Sequence, residues 1–191
     1  MRKYVLAALV AGAVAAPAMA QDRAPFTGAR VEGIVGYDRA SSDTRANGVV
    51  YGVGAGFDFQ AGGAVVGVEG EVSDSTADRC VSGLVVAGDR TCVNAGRDLY
   101  AGGRVGGLVA PSTLIYAKAG YTNARINADY TTATGGPASF RVSDNLDGVR
   151  VGGGVEQAVG RNAFVKVEYR YSNYEQGAER HQAVAGFGVR F

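Results

Sequence analysis

The chain has 191 residues, with 19 Lys and Arg against 18 Asp and Glu and a formal net charge of +1. Near-neutrality argues against nucleic-acid binding, which needs a basic patch, and 30 Gly disfavour a helical protein. Hydrophobic residues make up 47%, yet beyond the N-terminus no stretch approaches the roughly 18 apolar residues that a membrane helix requires.

The N-terminus opens on Arg2 and Lys3, continues through an apolar run at residues 5–16, and reaches Pro17-Ala18-Met19-Ala20 before Gln21. A charged start, a short apolar run and an Ala-x-Ala ending are the layout of a secretory signal peptide. Residues 1–20 are therefore expected to be cleaved, leaving residues 21–191 as one domain of ordinary size. Without Arg2 and Lys3 the balance is 17 basic to 18 acidic, or −1.

After a polar lead-in, the pattern changes to period-two alternation, the mark of strands with two unlike faces. A first strand at about 28–39 sets Ala29, Val31, Val35 and Tyr37 against Arg30, Glu32 and Asp38. A second, about 48–59, sets Val49, Tyr51, Val53, Phe57 and Phe59 against glycines and Asp58. Gln60-Ala61-Gly62-Gly63 reads as a tight turn. A third strand, about 64–73, puts Val66, Val68 and Val72 opposite Glu69 and Glu71.

Residues 74–96 read as a long loop holding both cysteines. The fourth strand, about 97–109, carries Asp98, Tyr100 and Arg104 opposite Leu99, Ala101 and Val105. Past a turn at Ala110-Pro111-Ser112, a fifth strand at about 113–125 sets Ile115, Ala117 and Tyr121 against Tyr116, Lys118 and Thr122. Residues 127–145 read as a second long loop. The sixth strand, about 146–157, holds Arg150 and Glu156 opposite Val149, Val151 and Val155. The closing pair sets Val165, Val167 and Tyr169 against Lys166, Glu168 and Arg170, then Ala183, Ala185, Phe187, Val189 and Phe191 against Gln182 and Arg190.

One face of these strands is too charged for a soluble core, and the other is too continuously apolar for water. The fold class that resolves both is all-β: an eight-stranded antiparallel transmembrane up-and-down barrel, with lipid outside and a polar lumen inside. The connections alternate long and short, as they do when short turns face the periplasm and long loops face outward. An even strand count returns both termini to the periplasmic side.

The export signal, the strand count, the stretches GVRVGGGVE and KVEYRYSNY, and the ending HQAVAGFGVRF together resemble the small outer-membrane β-barrel family. That family includes opacity-type surface proteins and the membrane domain of outer membrane protein A. The resemblance implies an outer-membrane location, lipid as the surroundings and a barrel-assembly machinery as the insertion partner. Gly186, Val189 and the terminal Phe191 resemble the C-terminal signal that such a machinery recognises.

Arg30, Glu32, Glu69, Glu71, Arg104, Lys118, Arg150, Glu156, Lys166, Glu168, Arg170 and Arg190 are expected to form a lumen charge network. An eight-stranded barrel has an interior just wide enough for side chains. Paired charges there make a packed plug rather than an ion path. Cys80 and Cys92, an even pair in an exported chain, are expected to form a disulfide. His181, the only histidine, falls at the outer rim with no accompanying serine motif, so no catalytic residue is assigned. The glycine runs lack the strand-then-helix setting of a phosphate cradle. Asp74, Asp78 and Asp89 match no calcium-loop spacing, and no metal or cofactor is expected. The reading is a structural envelope protein with outer loops available for surface contact. A loop-mediated adhesin meeting host or surface ligands and a small porin are the alternatives.

Overall fold

A computed structural model describes residues 25–41, 45–82, 89–131 and 139–191. The expected signal peptide, residues 1–20, lies outside them. Nine strands are present among the described residues: β1 Gly28–Ser41, β2 Arg45–Ala61, β3 Ala64–Ser75, β4 Asp78–Ser82, β5 Arg90–Ala110, β6 Thr113–Thr131, β7 Phe140–Val159, β8 Ala163–Tyr174 and β9 Glu179–Arg190. All pairings are antiparallel. Consecutive strands pair except β3 with β4, β9 returns to β1, and β3 pairs with β5, so eight strands close into a barrel from which β4 is excluded.

The register fixes the barrel's shape. From Val53 on β2, the ladder runs one way through Gly33, Phe187, Val165 and Gln157 to Thr113. The other way it runs through Val72 and Leu99 to Asn123 on the same strand β6. Residues 113 and 123 are ten apart, and that stagger tilts the strands by about 40° from the barrel axis. Each residue then climbs about 2.5 Å along the axis.

Outward positions are apolar over 9–11 residues on most strands, for example from Val49 to Phe59 on β2 and from Ala163 to Tyr171 on β8. At that climb such a run spans a band about 25 Å tall, which is the lipid-facing height of an outer-membrane barrel. The band ends at Arg39, Asn47, Asp74, Arg97, Asn123, Asp147 and Asn173, all outward and polar. Exposed Phe57, Phe59, Phe187 and Phe191 ring it near the short turns, and exposed Tyr37, Tyr51, Tyr121 and Tyr169 ring it near the far end. Amphipathic Tyr suits the level where lipid meets water.

The two-residue turn at Gly62-Gly63 depends on glycine, since Gly62 sits at φ 61°. At the opposite end, the structure corrects the expected long loops. Residues 74–96 contain the end of β3, the strand β4 and the first residues of β5, and β6 and β7 run well into residues 127–145. Strands β5, β6 and β7 are 21, 19 and 20 residues long, far more than the band needs. Their surplus projects as a sheet, edged by β4. A register shift between Ala95 and Asp98 bends β5 where it leaves the barrel.

Candidate functional site: the filled lumen

Inward positions on all eight barrel strands carry charge. Every residue expected in the lumen network — Arg30, Glu32, Glu69, Glu71, Arg104, Lys118, Arg150, Glu156, Lys166, Glu168, Arg170 and Arg190 — lies on the inner face and is buried. Asp38, Asp58, Asp98 and Arg180 complete the set, making eight cations and eight carboxylates.

These sixteen groups form one connected network along the barrel axis. Near the short turns, Asp58 is the hub. It accepts from Arg30 Nε at 3.0 Å, Arg104 Nη2 at 2.6 Å and Arg190 Nη2 at 2.9 Å. Glu156 bridges Arg104 and Arg190 at 2.7 and 2.8 Å. In the middle, Arg30 joins Glu69, and Lys118 Nζ lies 2.6 Å from Glu69 and 3.1 Å from Glu168. Lys166 donates to Glu32 at 2.6 Å, and Tyr116 Oη donates to Glu168 at 2.7 Å. Toward the far end, Arg170 joins Glu71, Arg150 joins Asp98, and Arg180 ties Asp98 at 3.1 Å to Asp38. Thr122 and Tyr174 add hydroxyl donors to Asp98 at 2.6 and 2.9 Å.

The backbone makes room for these large side chains by withholding others. A Cβ on Gly67 would sit 2.1 Å from Asp58 Oδ1, and one on Gly188 would sit 2.4 Å from the Phe164 ring. Apolar groups close both ends of the network. At the turn end, Phe26, Val65, Leu114 and Tyr116 pack together. The Arg190 guanidinium stacks over the Phe26 and Phe164 rings at 5.3 and 5.2 Å. The Phe26 N–H also donates to Gln60 at 3.1 Å, which draws the lead-in segment into the barrel mouth. At the far end, Ala124, Leu146 and Tyr174 form the second cluster.

Sequence reasoning missed Arg180 because the last strand was expected to begin at His181, two residues later than it does. The strand starts at Glu179, and Arg180 falls on the same inward parity as Gln182. Cys80 and Cys92 face each other across the β4–β5 ladder and are joined by a disulfide. Gly186, Val189 and Phe191 do not share a face: Gly186 packs inward against Lys166, whereas Phe191 is exposed. His181 is on the outer rim, with Nδ1 2.7 Å from Tyr169 Oη and its ring 5.0 Å from that of Tyr171. Among the described residues, no group of three or more His, Cys, Asp or Glu is placed to hold a metal ion.

A closed antiparallel wall, an apolar band of membrane height and a polar, ion-paired interior define a membrane-spanning β-barrel protein. A family model described as the outer membrane protein beta-barrel domain matches residues 6–191, and the chain belongs to that family. Among solved structures, Neisserial surface protein A is similar at 19% identity, with 86% of this chain and 98% of that one covered and a TM-score of 0.60. Ail, the attachment invasion locus protein of Yersinia pestis, is similar at 14% identity over 86% of this chain and 99% of that one, with a TM-score of 0.55. A further Ail structure, in complex with the heparin analogue sucrose octasulfate, gives 13% identity over 86% of this chain and 99% of that one, and a TM-score of 0.52. Such identities establish a shared fold. No curated protein matches the chain in sequence. The protein is an outer-membrane β-barrel of a Gram-negative-type envelope, and in bacterial barrels of this kind short turns face the periplasm and longer connections face outward.

Proposed function

We propose that this protein is a non-conducting, non-catalytic structural barrel whose projecting sheet is the part available to other molecules. The carrying observation is the lumen. Sixteen charged groups are joined in one ion-paired network with apolar packing at both ends, which supports a packed core over a water path. In support of the non-catalytic reading, the one histidine is engaged by tyrosines rather than by a serine or carboxylate among the described residues.

In this reading, residues 1–20 direct export and are removed. The strand ending at Gly186, Val189 and Phe191 is what the barrel-assembly machinery recognises, with Phe191 as the exposed terminal aromatic. The β4–β5 hairpin, cross-linked by Cys80 and Cys92, favours a second role in surface contact. A soluble polyanion of the kind in the Ail complex is a reasonable first probe.

One complementation experiment tests both roles. Deleting the gene should raise envelope permeability to detergents, and the full chain should restore the barrier. A version with β4 and residues 90–95 replaced by a tight turn should restore it equally well. It should fail only in binding to host-cell or polyanion-coated surfaces. An unchanged barrier in the deletion strain would remove the structural role.

A further inference from the structure

On the outside of the wall, β9, β1 and β2 frame a groove of about 500 Å³ lined by Gly33, Val35, Tyr51, Val53, Ala185 and Phe187. It exists because Gly33 has no side chain. Phe187 and Val53 flank Gly33 in register, and a Cβ placed there would meet nothing within 4 Å. The groove lies inside the apolar band. Four residues beyond Val35 on the same outward column, about 10 Å along the axis, Arg39 marks the band's outer edge, with His181 as its cross-strand partner.

Arg39 is exposed and makes no ion pair with the described residues. The Tyr169 hydroxyl holds the His181 ring through Nδ1. On the strands flanking β1 and β2, the rim carboxylates Glu179 and Asp74 already have donors: Glu179 accepts from Tyr171 Oη at 3.0 Å and Asp74 from the Ser75 N–H at 2.7 Å. An apolar slot with a cation at headgroup height complements an amphiphile with an acyl chain and an anionic head. Surface basic residues draw such heads, and a concave apolar wall takes the chain.

We propose that the β9–β1–β2 wall binds one acylated, phosphate-bearing lipid of the outer leaflet, with an acyl chain over Gly33 and its phosphate at Arg39 and His181. The lipid is the source of the phosphate, not the free anion.

The chain has no Trp, so Tyr51→Trp creates a single fluorescent reporter on the groove wall. The purified full-length mature protein is reconstituted in phosphatidylcholine vesicles doped with either brominated phosphatidic acid or brominated phosphatidylcholine, whose chains quench Trp on contact. Quenching by the anionic lipid should exceed that by the zwitterionic one roughly fivefold per mole. Val151→Trp on β7, whose outward column ends at Asp147 rather than at a cation, should show no preference. Arg39→Gln should abolish the preference while leaving phosphatidylcholine quenching unchanged, and Gly33→Leu should lower quenching by both lipids. Arg39 lies beyond the apolar band and outside the lumen network, so its variant decides the matter even where Gly33→Leu does not fold. Equal quenching at the Tyr51→Trp reporter, or a preference that survives Arg39→Gln, would overturn the proposal. Complete displacement by inorganic phosphate would do so too, since it would show a simple anion site.

Discussion

Inside the barrel, the Asp58 carboxylate meets guanidinium groups from β1, β5 and β9. In the projecting sheet, Asp129 on β6 accepts from Asn94 at 3.2 Å on the adjoining strand β5, and Ser143 on β7 donates to Asn127 at 2.8 Å on β6. The interior is held across the barrel, by charges that cannot reach water. The projection is held between neighbours, by backbone ladders, side-chain hydrogen bonds and one disulfide. Burial makes the difference. A buried charge without a partner is strongly destabilising, so partners must be supplied from whichever strand can reach. A solvated polar group has water as its alternative, and its partners contribute little.

Breaking the interior should therefore have the largest effect. Asp58→Ala would leave three buried guanidinium groups short of a counter-charge and should cost about 3–5 kcal/mol. Denaturant unfolding in detergent micelles, followed by the folded-band shift on unboiled gels, would show the loss. A variant within about 1 kcal/mol of the parent would mean that water reaches the network.

The lipid face should be somewhat more tolerant. Val167 is exposed on the apolar band, near its middle on β8. Val167→Arg would place a cation near the bilayer midplane and should cost about 2–4 kcal/mol. Insertion into preformed vesicles should fall in the same proportion. Unimpaired insertion would count against the placement of the band.

The disulfide sharpens the contrast from the other side. Replacing Cys80 and Cys92 together with Ser removes a cross-link worth about 3 kcal/mol in the chain-entropy model, but only within the hairpin. Proteolysis of the projecting sheet should accelerate while the barrel's unfolding midpoint stays fixed. A matching drop in the midpoint would show that sheet and barrel unfold as one unit. The smallest effect is expected at Tyr121, whose hydroxyl bonds to Asp147 on the exposed rim. Tyr121→Phe should leave the midpoint where it was, because water replaces the lost partner.

The same contrast explains how much was legible in the sequence. Within the membrane one face must be apolar, so alternation such as Val165-Lys166-Val167-Glu168 reveals both the strand and the direction of each side chain. The inner positions of Arg30, Glu69, Arg104 and Lys118 follow from parity alone. Beyond the band both faces of a strand meet water, and alternation disappears although the backbone ladder continues. Thr91, Asn94, Asn127 and Asp129 sit in regular strands yet read as loop. The strand β4 was invisible for that reason, and Arg180 was lost because Glu179 and His181, its outward neighbours, are polar. The bulge before Asp98 has no residue signature beyond Gly96. Which carboxylate pairs with which cation was not legible either, since Asp58 gathers partners from strands far apart in sequence.

Single-channel recording of the purified wild-type protein in planar bilayers tests the packed lumen most directly. The sixteen paired charges and the apolar groups at both ends predict a silent baseline, with any conductance confined to variants such as Glu69→Ala that open the network. Steady, ion-selective channels in the wild type, with Glu69→Ala altering only their selectivity, would show that the same residues line a water path.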